Sequence, residues 1–393
     1  MSLTEFKLDS PGSASPEAVF TMKEQGGPRI DRWRMANGLS DGVEVVALDN
    51  GRLSVHVLPT RGMGIQFASD RTTTPPTRIE WKAPVEGPVH PQFVNIESRN
   101  GLGWLDGFSE LVCRCGLSSN GPPGNDDGAR SPIESALTLH GRIANTPARD
   151  VMASVDHERK RIAVSGVVDE CTLFGPQLRL RTTISTGFNS LEFSMEDEIE
   201  NLGSKPAEVQ LLYHINVGKP FLNAGSTLAI AAEEIAPRDP RAAEGVDTIH
   251  EFLGPTAGYT EEGFFFKPRV DRDGMATAVL QDPKKELGFA VRFNQATLPY
   301  FVLWKCTQPE SDGYVTGLEP ATNLPNFKAY ERKQGRVITL KPGAKYRTSV
   351  SIGILRGDEL RSELAKIQKL QADRPPVIHR TPQAGWSPAG EPK

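Results

Sequence analysis

The stretch LEFSMEDEIENLGSKPAEVQLLYHINV, Leu191–Val217, decides the fold class. In its first part Leu191, Phe193 and Met195 alternate with Glu192, Ser194 and Glu196. A period of two sends successive side chains to opposite faces of an extended chain, so the run reads as a half-buried strand. In its last part Val209, Leu211, Tyr213 and Ile215 point one way, while Gln210, Leu212, His214 and Asn216 point the other. A polar row therefore interrupts an otherwise apolar sheet.

Working outward, the same alternation is found at Leu53, Val55 and Val57 with Ser54 and His56 between them. It recurs over 162–168, 178–184, 289–293, 301–303, 337–340 and 346–354. Gly, Pro, Asn or Asp clusters separate the runs, and the chain holds 37 Gly and 31 Pro, a supply of turn residues that favours many short strands over long helices. The expected fold is mainly β, a large antiparallel sandwich with few helices. One helix is expected in DELRSELAKIQKLQAD, where Leu360, Leu364, Ile367 and Leu370 share a face and would pack on the sandwich exterior. The domain reading is an N-terminal arm over 1–30, a sandwich over 31–356, and a C-terminal helix with a mobile Pro-rich tail over 357–393. Residues 70–150, rich in Gly and Pro and poor in period, read as long loops of the kind on which sites are built.

Composition narrows the function. Hydrophobic residues at 38% and charged residues at 24% belong to a folded globular chain. A formal net charge of -4 without a Lys/Arg cluster argues against nucleic acid. The cysteines at 113, 115, 171 and 306 suggest neither a zinc site nor a disulfide framework, and fit a reducing cytoplasm. No apolar signal segment opens the sequence and no run of about 18 apolar residues occurs, so neither secretion nor membrane insertion is expected.

Familiar contiguous motifs fail. NGLGWLDGF spaces Gly101, Gly103 and Gly107 one residue too widely for G-x-G-x-x-G, and no P-loop, H-E-x-x-H or G-x-S-x-G is present. What remains are scattered groups. His56 alternates out of its strand and reads as solvated, whereas His157 and His379 lie in a charged turn and in the tail. His140 is flanked by Gly141, which lets backbone approach closely, and by Arg142, a fork-shaped donor. His214 sits in the polar row. Glu319 ends a strand-like stretch and is followed by Pro320, which stops pairing and opens a loop. Trp81, Trp104, Tyr213 and Trp304 are candidates to stack on the apolar face of a ligand, Trp104 foremost because its loop is rich in glycine.

Taken together, these segments resemble the aldose 1-epimerase (galactose mutarotase) superfamily, and more closely its DUF4432-type branch. EIENLGSKPAEVQLLYHINVGKPFL is similar to the family's strand, turn and strand that ends in the catalytic histidine, here His214. LPYFVLWKCTQP and GLEPATNLPN resemble the strand before the family's glutamate and the loop that bears it, here Glu319. GRVITLKPGAKYRTSVSIGIL resembles the closing strands. LPTRGMGI, GLGWLDGF and LHGRIANTPA resemble segments of the branch, and LHGR places an earlier active-site histidine at His140. The Asn-Arg-Ile segment that supplies an arginine in better-known mutarotases is not found, so Arg61, Arg99 and Arg142 are the candidates to replace it. The usual sugar-binding aspartate has no counterpart.

The resemblance implies a galactose mutarotase-like supersandwich and an isomerase that interconverts α and β anomers of an aldose or modified sugar. Glu319 would be the base and His214 the acid. His140, Arg142, Arg61, Trp104, Asn216 and Asn323 would contact the sugar. No cofactor and no metal is expected, and the partner is a small-molecule sugar. Two rivals stand beside it: a metal-dependent sugar isomerase or lyase using two histidines and the glutamate, and a carbohydrate-binding module without turnover.

Overall fold

A computed structural model describes residues 3–7, 20–23, 27–372 and 374–392. They gather into two compact units, one drawn from 1–80, 85–211 and 338–349, the other from 81–84, 212–337 and 350–393. The sandwich expected over 31–356 is thus divided between two units. Alternation along a strand reports extension and a buried face, and says nothing of which sheet the strand joins.

The first unit packs two antiparallel sheets. One is a meander of Arg29–Arg34, Glu44–Asp49, Leu53–Leu58 and Gly64–Asp70, followed in space by Val112–Leu117. The other runs Arg149–Asp156, Arg161–Cys171, Gln177–Gly187 and Glu192–Asn201. Along the last of these Phe193, Met195, Asp197, Ile199 and Asn201 are buried and their neighbours are not, the expected period of two. Asp197 keeps a core place because Arg114, on the facing sheet, reaches it through Nε at 2.6 Å and Nη2 at 2.9 Å. A buried charge persists where a partner neutralises it. His56 differs from its expected solvated place: its ring stacks on Phe67 at 3.9 Å, with Trp33 edge-on at 5.5 Å, and burial pushes its pKa down to about 4.

The second unit has the same two-layer logic. Thr227–Ile230, Met275–Gln281, Leu287–Asn294 and the later half of Lys345–Arg356 pair antiparallel in one sheet. Ala232–Pro237, Glu262–Pro268, Tyr300–Cys306, Val315–Ala321 and the end of Ala207–Val217 form the other. Phenylalanines fill the space between: Phe293 stacks on Phe301 at 6.1 Å, and Phe301 meets Phe266 edge-on at 5.6 Å. The helix Gly357–Gln371 covers the outer face of the first of these sheets. Leu360 and Ile367, with Leu364 and Leu370 beside them, pack on Ala231, Val279, Ala290 and Leu355, the four-residue face read from the sequence.

Both chain ends differ from expectation. Within the stretch read as an arm, Leu3–Lys7 pairs with Arg149–Asp156 and Phe20–Lys23 with Arg29–Arg34, as edge strands too short to show a period. The rest of that stretch up to residue 26 lies outside the described residues. The Pro-rich tail is docked. Val377–Ile378 adds a parallel strand beside Ala232–Pro237, Asn326 donates to the Trp386 carbonyl at 2.9 Å, and Ser387 donates through Oγ to the Arg238 carbonyl. Backbone carbonyls and single side chains hold this segment, and hydropathy patterning does not register such contacts. Among the described residues no helix is long and apolar enough to cross a membrane.

Candidate active site

Registers in the second unit set two adjacent rows across one sheet face. Asn216 lies opposite Gly317, Gly317 opposite Trp304, and Trp304 opposite Gly263, whose carbonyl accepts the Arg238 amide. Leu212 pairs with Ala321 and Asn216 with Gly317, so His214, midway, falls opposite Glu319. Glu319 in turn pairs with Val302, Val302 with Phe265 and Phe265 with Ala236. Residues opposite one another in an antiparallel sheet, and those two apart on a strand, share a face. His214, Asn216, Glu319, Trp304 and Arg238 therefore rise from one surface.

The two glycines in this row make room for charged side chains. A Cβ at Gly317 would run into the Glu319 carboxyl, which folds back over it, and would sit 3.2 Å from Trp304 Cβ. A Cβ at Gly263 would sit 3.1 Å from the Arg238 Nε.

His214 and Glu319 are both buried, with Nε2 3.2 Å from Oε1. The two atoms are close but not aligned as a hydrogen bond, and Oε1 has no hydrogen-bonded partner among the described residues. An unsatisfied buried carboxylate oxygen is costly and calls for a functional account. Burial pushes the Glu319 pKa well above the usual carboxylate range, with the Arg238 charge opposing and the Glu261 charge reinforcing that rise. On the other side of the ring, His214 Nδ1 is 2.6 Å from Asn216 Oδ1, while Asn216 Nδ2 donates to the His214 carbonyl at 3.3 Å. The amide is thus oriented with its oxygen toward the ring, which assigns a proton to Nδ1 and leaves Nε2 as the nitrogen nearest Glu319.

Beyond the pair, Trp304 stands edge-on to His214 at 5.3 Å. Its Nε1 donates to Glu261 Oε2 at 2.5 Å, and Arg238 Nη2 donates to Glu261 Oε1 at 2.9 Å.

The first unit holds the remaining expected residues. His140 takes a left-handed backbone, φ 56°, and its Nδ1 donates to the Asn120 carbonyl at 2.9 Å. Its ring meets Trp104 at 4.7 Å. Arg142 is exposed and paired with Glu97 at 2.9 Å. Arg99, the third candidate replacement, is exposed and paired with Asp106 at 2.6 Å.

Several expected sugar contacts are corrected. Arg61 is buried, and its guanidinium is taken up by Glu110 at 2.7 Å, Asn145 at 2.6 Å and the carbonyls of Val89 and Gly107, so it ties loops together. Trp104 is buried against Phe108 and His140 and supports the histidine instead of offering a platform. Asn216 is buried and orients His214. Asn323 is buried and spends its amide on the Leu324 carbonyl and the Thr322 hydroxyl. Trp81 and Tyr213 are core residues. Of the four proposed stacking residues, Trp304 alone is half-exposed.

Sequence reasoning missed Gly317, Gly263, Arg238 and Glu261. Gly317 carried a usable signal: two residues before Glu319 it must share that residue's face, and a glycine there leaves a niche. Arg238 and Glu261 sit where strands give way to turns, where charge is ordinary and carries no signal.

Among the described residues no group of three or more His, Cys, Asp and Glu side chains is arranged to hold a metal ion. No curated protein sequence matches the chain. Solved structures do. A proposed aldose 1-epimerase from Klebsiella pneumoniae is 30% identical over 97% of this chain and 99% of its own, with a TM-score of 0.90. A galactose mutarotase-like protein from Clostridium acetobutylicum is 16% identical over 85% of this chain and 100% of its own, with a TM-score of 0.57, a likeness of fold. The galactose mutarotase-like fold expected from the sequence is therefore the fold of this chain. The DUF4432 model, a domain of unknown function, matches residues 40–354. On that match, and on the near full-length similarity to the Klebsiella protein, the chain belongs to the DUF4432 family.

Proposed function

We propose that the protein is an isomerase of the aldose 1-epimerase type, opening and reclosing the cyclic hemiacetal of a sugar with His214 and Glu319. The observation that carries this reading is the buried pair itself, Nε2 and Oε1 3.2 Å apart with the carboxylate oxygen lacking a hydrogen-bonded partner. Such a pair suits a substrate with one proton to give and one to receive.

Ring opening removes the proton from the anomeric hydroxyl and delivers one to the ring oxygen, as the bond from C1 to the ring oxygen breaks and C1 becomes an aldehyde. Glu319 accepts the first proton and His214 Nε2 supplies the second. Rotation about the C1–C2 bond presents the other aldehyde face, and closure runs the transfers backward. The pair must hold one proton in total. Burial, which disfavours an ionised Glu319, strengthens its hold on the proton it takes from the substrate. Asn216 keeps Nε2 as the exchanging nitrogen. The similarity to the Klebsiella protein supports the same class of reaction.

The test is anomer-exchange NMR over a panel of neutral, acidic and modified aldoses with wild type, His214→Asn and Glu319→Gln. Acceleration by wild type that both variants lose is expected. A wild type that accelerates none of the panel overturns the reading.

A further inference from the structure

On the sheet face that carries the pair, the charged groups beyond Trp304 have no part in the proton transfers. Glu261 receives Trp304 Nε1 on one oxygen and Arg238 Nη2 on the other, and Arg238 gives Nε to Asp239 at 2.8 Å. The guanidinium lies across Gly263, where any side chain would press on Nε, Cδ and Cζ at 3.1–3.2 Å. Both side chains nevertheless keep solvent access, 44% for Glu261 and 32% for Arg238. Nη1 of Arg238 has no acceptor among the described residues. The arrangement is a pre-formed ion pair, held from beneath by a tryptophan and a glycine, with lone pairs and N–H groups left over.

We propose that Glu261 and Arg238, together with Trp304, form the subsite that orients the sugar ring by gripping two neighbouring hydroxyls. The inference rests on the anomer-exchange reading above and names its substrate class. A carboxylate only accepts and a guanidinium only donates, whereas adjacent hydroxyls each do both, so a vicinal diol satisfies the pair. Trp304 offers an apolar face for ring C–H groups, and with its indole N–H tied to Glu261 it is already oriented. Its edge contact with His214 at 5.3 Å sets the subsite beside the acid–base pair.

Charge decides which sugars fit. Asp239 and Glu261 oppose the single cation of Arg238, while the nearby Arg241 is taken up by Glu244 at 2.8 Å and Glu262 at 3.1 Å. The grip is therefore net negative. It admits a neutral aldose and repels a uronic acid.

The experiment measures anomer exchange for wild type, Glu261→Gln and Arg238→Lys with the best neutral aldose of the panel, its monodeoxy analogues and the matching uronic acid. The variants are expected to raise KM roughly tenfold or more while kcat falls less, because a charged partner of a substrate hydroxyl is lost. Wild type should discriminate against the deoxy analogue that lacks a gripped hydroxyl, and Glu261→Gln should lose that discrimination. Arg238→Lys keeps the charge without the planar fork, so it reads the grip even where Glu261→Gln fails to fold. Wild-type KM and an unchanged deoxy pattern in the variants would overturn the subsite and leave the isomerase reading intact. If wild type accelerates no sugar, binding of 1,5-anhydro-D-glucitol, which cannot ring-open, is followed by ligand-observed NMR. Binding that Glu261→Gln abolishes supports the subsite without the reaction, and no binding to wild type overturns it.

Discussion

His214 and Glu319 stand opposite each other on neighbouring antiparallel strands, with Nε2 and Oε1 3.2 Å apart and the other ring nitrogen fixed by Asn216. Strand register sets this relation, so each partner can be removed without moving the backbone that carries the other. Glu319→Gln and His214→Asn should each lower kcat by roughly 10²- to 10⁴-fold, the usual worth of a placed acid or base. The double variant should be little worse than either single one, since one group without the other cannot complete the exchange. Anomer-exchange NMR at saturating sugar checks both statements.

Activity should follow a bell in pH. Two protons on the pair leave no base, and none leaves no acid. Asn216→Asp keeps an acceptor at Nδ1 but adds a negative charge beside the ring, which strengthens its hold on a proton. The alkaline limb of kcat should then move to higher pH, while Asn216→Ala should lower kcat without that displacement. A pH series of exchange rates separates the two.

Stability should carry the mark of the buried carboxyl. Its folded pKa is raised above the ordinary 4.5 by burial first of all. The protonated form is therefore favoured in the folded state, the stability it brings is complete below about pH 4.5, and it is lost as pH rises toward the folded value. Glu319→Gln, which never ionises, should melt higher than wild type near neutrality, with a gap that widens from pH 4.5 upward. Melting curves across that range provide the check.

Gly317→Ala should silence the enzyme with every chemical group retained. The added methyl takes the place where the Glu319 carboxyl rests. We expect a kcat loss approaching that of Glu319→Gln in a protein that still folds, measured by exchange rate alongside circular dichroism.

Arg61 and Glu110 make the opposite case. Removing one partner strands a buried charge, so Glu110→Gln should cost about 3–5 kcal/mol in urea unfolding. The exchange rate per folded molecule should stay near wild type where the variant is folded, as befits a pair that ties loops together.

Much of the fold was legible because strand burial has a period that residue types report. The runs at 162–168, 178–184, 289–293, 301–303 and 346–354 each fall inside an observed strand, and the outer helix uses the four apolar residues read from its sequence. The pairing of His214 with Glu319 came from likeness to a family, since the 104 intervening residues carry no local sign that two strands will meet in register. Asn216 was legible as a polar residue on the right face, but not as a partner of the ring two residues away. Arg61 misled because an arginine in a glycine-bearing turn looks the same whether it binds a sugar or four loop acceptors. Arg238 and Glu261 gave no sign at all, because their use depends on a glycine and a tryptophan from other strands.

The niche above Gly317 bears on how relatives of this chain are judged. On the proposed reaction, descent can retain both His214 and Glu319 and still displace the carboxyl by one small change at Gly317. A relative with His and Glu in place but a larger residue at the site of Gly317 would have no room for its glutamate carboxyl to fold back as that of Glu319 does. That glycine therefore belongs beside the histidine and glutamate in any signature used to recognise a working member.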